Sequence, residues 1–182
     1  DVTKGSVKVD GVDVRDMTQK ELRDKLGYVP QKGVLFSGTI DSNIRYGKPE
    51  ITDAQVKEAA EVAQATEFID TKPEKYKSPV SQGGTNVSGG QKQRLSIARA
   101  IAKDPEIFIF DDSFSALDFK TDSQLRKALK EYTKDATTVI VAQRISTILG
   151  ADQIIVLDDG HMAGIGTHKE LMANCEVYQQ IA

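Results

Sequence analysis

The 182-residue chain has one cysteine, two histidines and no tryptophan, and no apolar run approaches the ~18 residues that a membrane-spanning helix needs. Lone Cys175 excludes an intrachain disulfide, and no Cys/His spacing suits zinc, which fits a reducing, cytosolic compartment. Without a candidate span or a leader-like N-terminus the chain reads as soluble, so any membrane attachment has to come through a segment outside it. An excess of charge is missing as well. Lys and Arg number 24 against 27 Asp and Glu, a formal net charge of -3, and the basic residues are scattered, which argues against nucleic acid as a partner. His161 and His168 have no acid–base partner in sequence and read as surface or capping residues, and no Ser/His/Asp or Cys/His arrangement is apparent. Internal repeats and low-complexity segments are also absent from the sequence.

What is present suits one globular domain with at most a subdomain: hydrophobic residues make up 39% and charged residues 28%. Val7, Val9, Val12 and Val14 alternate about Asp10-Gly11, the pattern of a hairpin or edge-strand pair. Thr18 to Glu21 is a capping box that should start a short helix. Leu26 to Gln31 looks like a short buried strand whose exit is fixed by Pro30. From Thr39 to about Ala65 the pattern is helical, with a second capping box at Thr52 to Gln55 and an apolar stripe through Val56, Ala59, Ala60 and Ala63. A loop rich in Lys, Pro, Ser and Gly runs from Lys72 to Asn86. Beyond it, residues 107–110, 138–142 and 153–157 are short apolar runs alternating with helical segments, one of them near 121–133. Such runs suggest buried parallel strands of an α/β core. Asp159-Gly160 suggests a final hairpin into Ile165, and Thr167 to Glu170 is a further capping box for a terminal helix.

Two segments carry chemistry. Ser88 to Gln91 is also a capping box, which alone requires nothing beyond a helix start. Gly89 and Gly90 add a reason: glycine costs about 1 kcal/mol in a helix interior, so a pair in the first turn suits close approach of a phosphate to unpaired amides and the positive end of the dipole. Downstream, the strand-like run 107–110 ends in Asp111-Asp112. Carboxylates at the end of a buried strand can hold Mg²⁺ and orient an attacking water, although they can equally cap the next turn.

With their neighbours, VSGGQKQR at 87–94 and IFIFDDS at 107–113 resemble the signature and Walker B motifs of an ATP-binding cassette (ABC) nucleotide-binding domain of the exporter type. Gln31, followed by VLFSGTI at 34–40, resembles the Q-loop of exporter-like members, SALD at 115–118 the D-loop, and VIVAQRIS at 139–146 the switch segment. The resemblance covers nearly the whole chain, and the order and spacing of the motifs are more specific than any one of them. It implies a partial P-loop NTPase (RecA-like) α/β core of parallel strands, about 1–38 and 103–182, with an inserted α-helical signature subdomain, about 39–102. No Gly-x-x-x-x-Gly-Lys-[Ser/Thr] occurs, so the loop that grips the β- and γ-phosphates has no candidate. In the family that loop lies upstream of the segment where this chain begins. The expectation is therefore the C-terminal part of such a domain, cut after the Walker A helix and inactive by itself.

The resemblance also implies cofactors and roles. ATP and Mg²⁺ are the cofactors, with Asp111 and Gln31 at the metal. Ser88, Gly89, Gly90 and Gln91 face the γ-phosphate of ATP held by an opposite subunit, and Gln31 and Asp118 complete the nucleotide contacts. Asp112 and Gln143 occupy the catalytic positions, and both depart from the family, which normally has Glu and His there. A carboxylate one methylene shorter sits too far from the attacking water, and glutamine cannot carry the charge of an imidazolium. The pair together suggests the degenerate-site subunit of a heterodimeric exporter, at the cytoplasmic face of the cell membrane. Its partners would be a second nucleotide-binding domain and a transmembrane domain of the same polypeptide. A non-transport ABC ATPase and a non-catalytic regulatory or interaction domain are the rival readings. The exporter-like THKELM at 167–172 and VYQQI at 177–181 favour the exporter over the non-transport ATPase.

Overall fold

Thr18, Thr39, Thr52, Ser88 and Thr167 each accept the amide three residues on, while the side chain at that third position reaches back to the cap amide. Five helix starts are thus set by local chemistry. The computed structural model describes residues 2–182. Its contacts fall into two units, one ending at Val139 and one running from Ile140 to Ala182.

The first unit opens with β1 (Lys8–Val9) and β2 (Val12–Asp13), an antiparallel pair whose turn places Asp10 at φ 51° and Gly11 at φ 80°. Helix α1 (Gln19–Lys25) runs straight into β3 (Leu26–Val29). Then come β4 (Gly38–Thr39), α2 (Ile40–Ile44), α3 (Asp53–Val62), α4 (Thr66–Asp70) and β5 (Pro79–Val80). The unit continues through α5 (Gly89–Ala102), β6 (Ile107–Asp111) and α6 (Phe119–Tyr132) into β7 (Thr137–Val141).

β3 and β6 pair in parallel with Leu26 opposite Ile107 and Val29 opposite Phe110, and the sheet order is β3-β6-β7. Phe108 and Phe110 are buried from β6 and stack at 6.0 Å between centroids, with Phe114 5.5 Å from Phe110. Gly27 sits where a Cβ would lie 2.7 Å from Pro105 Cγ, 3.3 Å from the Ala100 carbonyl and 3.4 Å from Phe108, so its lack of a side chain lets β3 close on the end of α5. Helix α5 is the centre of this unit. Leu95, Ile97, Ala98 and Ile101 are buried on it, and it packs against α2, α3 and β3. The stripe of Val56, Ala59, Ala60 and Ala63 is buried as its spacing suggested.

Four expectations need correction. The helical pattern from Thr39 to Ala65 is broken: a 3₁₀ turn at Arg45–Gly47 leads to Lys48 at φ -157°, ψ 79°, outside the helical region that a following proline disfavours. The loop from Lys72 to Asn86 contains β5, which pairs antiparallel with β4. The third correction lies in the second unit. There β8 (Ile154–Asp158) pairs antiparallel with β9 (His161–Gly166) in a sheet of two strands, so the run at 153–157 is half of a hairpin and no parallel core strand. Asp159 and Gly160 make its turn at φ 45° and 76°.

Helices α7 (Ile145–Ile148), α8 (His168–Asn174) and α9 (Glu176–Ile181) complete that unit, with Ile154, Val156, Leu171, Cys175 and Tyr178 as its core. His168 begins α8, and its Nδ1 lies 2.9 Å from the Tyr178 hydroxyl. It therefore has a packing role that its sequence position did not reveal. The buried strand expected at 138–142 is also corrected, because β7 is the least covered strand of its sheet: Val139 is 47% and Val141 52% exposed.

Candidate functional site

Continuing the parallel register of β3 on β6 past Val29 and Phe110 puts Pro30-Gln31 level with Asp111-Asp112. The side chains meet there. Gln31 Nε2 donates to Asp112 Oδ2 at 3.2 Å, and the Tyr28 hydroxyl donates to Asp111 Oδ2 at 3.2 Å. Partial desolvation, then the bond to Asp111, push the Tyr28 phenol above its ordinary value. The turn after β6 is fixed from within: Ser113 Oγ donates to Val29 O at 2.8 Å and Ser115 Oγ to Asp112 O at 3.0 Å. Asp112 takes φ 43°, a left-handed conformation in which a short polar residue is tolerated. Both carboxylates are half-buried at the end of an apolar strand.

A second cluster forms at the start of α5. Ser88 Oγ accepts Gln91 N at 3.2 Å and Gln91 Oε1 accepts Ser88 N at 3.1 Å. That leaves the Gly89 and Gly90 amides in the first turn, where no intrahelical acceptor exists. A Cβ on Gly89 would meet nothing within 4 Å, whereas one on Gly90 would lie 3.4 Å from Ala116 O and 3.8 Å from Leu117 Cδ2. The helix start thus has an open face and a face packed on the 115–118 loop. Asp118 at the end of that loop caps α6, accepting Thr121 N at 3.0 Å, and this amide holds its carboxyl below the usual range.

The structure brings Gln31, Asp111 and Asp112 together, and Gly90 together with the loop of Asp118. Gln143 lies in the second unit, exposed in the bend between β7 and α7. Among the described residues no group of three or more His, Cys, Asp or Glu is placed to hold a metal ion. Magnesium asks for less, taking one or two protein oxygens beside water and phosphate. Asp111 and Gln31 each carry a side-chain oxygen of the type that magnesium takes.

Sequence reasoning missed Tyr28 and two residues of α5. Gln93, only 2% exposed, accepts Gly33 N at 3.0 Å and donates to Pro30 O at 3.1 Å. Arg99 donates to Val34 O and to Asn43 O, each at 2.9 Å. A signal existed for Gln93. It shares a helical stripe with Ser96, Ile97 and Ala100, and a polar residue on such a stripe asks for a buried partner.

Residues 1–115 match the family model for the ABC transporter. The whole chain is 47% identical over 185 residues to an uncharacterized ABC transporter ATP-binding protein of Mycobacterium tuberculosis (strain ATCC 25618 / H37Rv), covering 31% of that protein. It is 45% identical over 181 residues to a putative multidrug export ATP-binding/permease protein of Staphylococcus aureus (strain NCTC 8325 / PS 47), again covering 31%. Among solved structures, a bacterial Atm1-family ABC exporter with ATP bound superposes with a TM-score of 0.96 at 39% identity, over all of this chain and 32% of that one. The chain spans just under a third of the length of these relatives. The parallel α/β sheet, the helix opened by Ser88 and these matches agree, and the chain belongs to the ABC transporter family.

Proposed function

We propose that this chain is the ATP-binding segment of an exporter subunit whose own ATP site is degenerate and whose signature helix completes an active site on a second nucleotide-binding domain. The meeting of Gln31 with Asp112 at the strand exits supports this most directly, because it aligns the Q-loop side chain with the catalytic position. Magnesium bound with ATP supplies charge neutralisation on the phosphate oxygens. Asp111 and Gln31 supply its protein oxygens. Asp112 faces the attacking water from a side chain one methylene short, and Gln143 contributes a neutral hydrogen bond where the family has histidine. The amides of Gly89 and Gly90, with Ser88 and Gln91 fixing the first turn, receive the γ-phosphate of ATP held by the partner domain. Asp118 borders that contact from the loop packed on Gly90. The α-helical subdomain of residues 39–102 carries this surface on the P-loop NTPase core.

The composite arrangement calls for a heterodimer, with the transmembrane domain in the same polypeptide and this segment at the cytoplasmic face of the membrane. The Staphylococcus aureus relative, a putative multidrug export ATP-binding/permease protein, supports that arrangement. The test uses the assembled whole protein. Ser88→Arg or Gly89→Asp places bulk or negative charge where the phosphate docks and is expected to abolish ATP hydrolysis, while Asp112→Asn is expected to reduce it far less. Signature variants that assemble and keep full activity overturn the reading.

A further inference from the structure

Gln31 lies in a stretch of chain whose flanks are held by side chains of other elements. Pro30 O and Gly33 N, on either side of Gln31-Lys32, are bonded to the two ends of one buried amide, that of Gln93. Further along, Arg99 Nη1 donates to Val34 O at 2.9 Å, and Asn43, 1% exposed, accepts Phe36 N and donates to Phe36 O, both at 2.9 Å. Arg99 Nη2 also donates to Asn43 Oδ1 at 2.9 Å, joining the two holds. Five main-chain groups between Pro30 and Phe36 are therefore bonded to side chains of α5 and α2. Gly33 rests so close to α5 that a Cβ would lie 2.8 Å from Ser96 Oγ and 3.0 Å from Lys92 O. A buried amide is costly unless both ends are satisfied. Gln93 satisfies both on the backbone that carries Gln31.

Gln93 belongs to the second turn of the helix that begins after Ser88, about 6 Å of helix rise beyond Gly89. The element that presents the open amides of Gly89 and Gly90 is thus the one that grips Pro30 and Gly33. From this geometry we propose that Gln93 is a positioning residue that makes Gln31 and the start of α5 a single mechanical body. The proposal rests on the functional reading above. A displacement of Gln31 at Asp112 is carried through Pro30 and Gly33 to the surface that completes the partner's site, and the reverse holds equally.

The experiment uses the assembled whole protein, with steady-state ATP hydrolysis and amide hydrogen exchange measured side by side. Gln93→Met keeps the volume and removes both hydrogen bonds. It is expected to speed exchange in residues 31–34 at least tenfold and to lower kcat at least tenfold, with the KM for ATP within threefold of the wild type. Gln31→Ala alone is expected to lower kcat at least as far as Gln93→Met does, and added to Gln93→Met it is expected to lower it by less than a further twofold, because Gln93 acts only through Gln31. If Gln93→Met does not fold, Gln93→Glu, which keeps the acceptor for Gly33 N and loses the donor to Pro30 O, takes its place in the same cycle. Unchanged kcat in Gln93→Met or in Gln31→Ala overturns the proposal, and so do losses that multiply. A wild-type protein without ATP hydrolysis refutes the functional reading instead. Exchange at residues 31–34 then decides the hold itself, faster exchange in the variant supporting it and unchanged exchange overturning it.

Discussion

Asp112→Glu combined with Gln143→His tests whether two departures from the family pattern account for a weak site. Asp112 sits at φ 43°, and its side chain is held by Gln31 Nε2 at 3.2 Å. A longer carboxylate gains one methylene of reach towards the attacking water but tolerates the left-handed backbone less well, at about 1 kcal/mol. That cost falls on folding and lowers the melting temperature by roughly 2–4 °C for a domain of this size. A correctly placed base or water-orienting group raises the chemical step roughly 10²–10⁴-fold, or about 2.7–5.4 kcal/mol of barrier. The catalytic gain therefore exceeds the structural cost, and separate measurements report the two. The assay is single-turnover ATP hydrolysis by the assembled whole protein, in a background where the partner's own active site is disabled and its signature is intact. A folded double variant whose rate equals the wild type's would refute these residues as the limiting defect.

The 182-residue chain by itself is expected neither to bind MgATP tightly nor to hydrolyse it, because no Gly-x-x-x-x-Gly-Lys-[Ser/Thr] loop occurs in it. Titration calorimetry giving a micromolar dissociation constant, about -8 kcal/mol, would contradict this. Burial pushes the Tyr132 phenol up to about 12, against an unfolded value near 10. The unfolded chain therefore releases this proton first, and the stability difference is lost as pH rises from about 10 to 12. Urea titrations at pH 8, 10 and 11.5 should show a smaller alkaline loss for Tyr132→Phe than for the wild type, and equal losses would refute the assignment.

How much could be read from the sequence depended on whether its cause was local. The caps at Thr18, Thr52, Ser88 and Thr167 were legible because each needs only four residues, and β6 was legible because its apolar residues form one run. The β4–β5 pair was not, since Gly38 meets Val80 across a long separation and neither two-residue strand has a period. The hairpin at Asp159-Gly160 was legible from its turn residues, but the apolar composition of Ile154 to Asp158 also suits a buried parallel strand, and only the pairing with β9 fixes its direction. In the site, Gln31 and Asp112 were singled out separately by motif. Their contact depends on strand register, and the roles of Tyr28 and Gln93 depend on partners at a distance in sequence.

β7 ends the order β3-β6-β7 with Val139 and Val141 turned to water. A sheet that stops at an apolar strand holds a row of amides and carbonyls ready for the next strand that arrives. The segment TTVIV at 137–141 has neither a charge nor a proline to interrupt such an addition. A second copy of the chain can supply such a strand. Self-association can then begin from the folded state, so colloidal behaviour depends on protein concentration even where unfolding is negligible. A charged residue on this edge would improve solubility without touching the core.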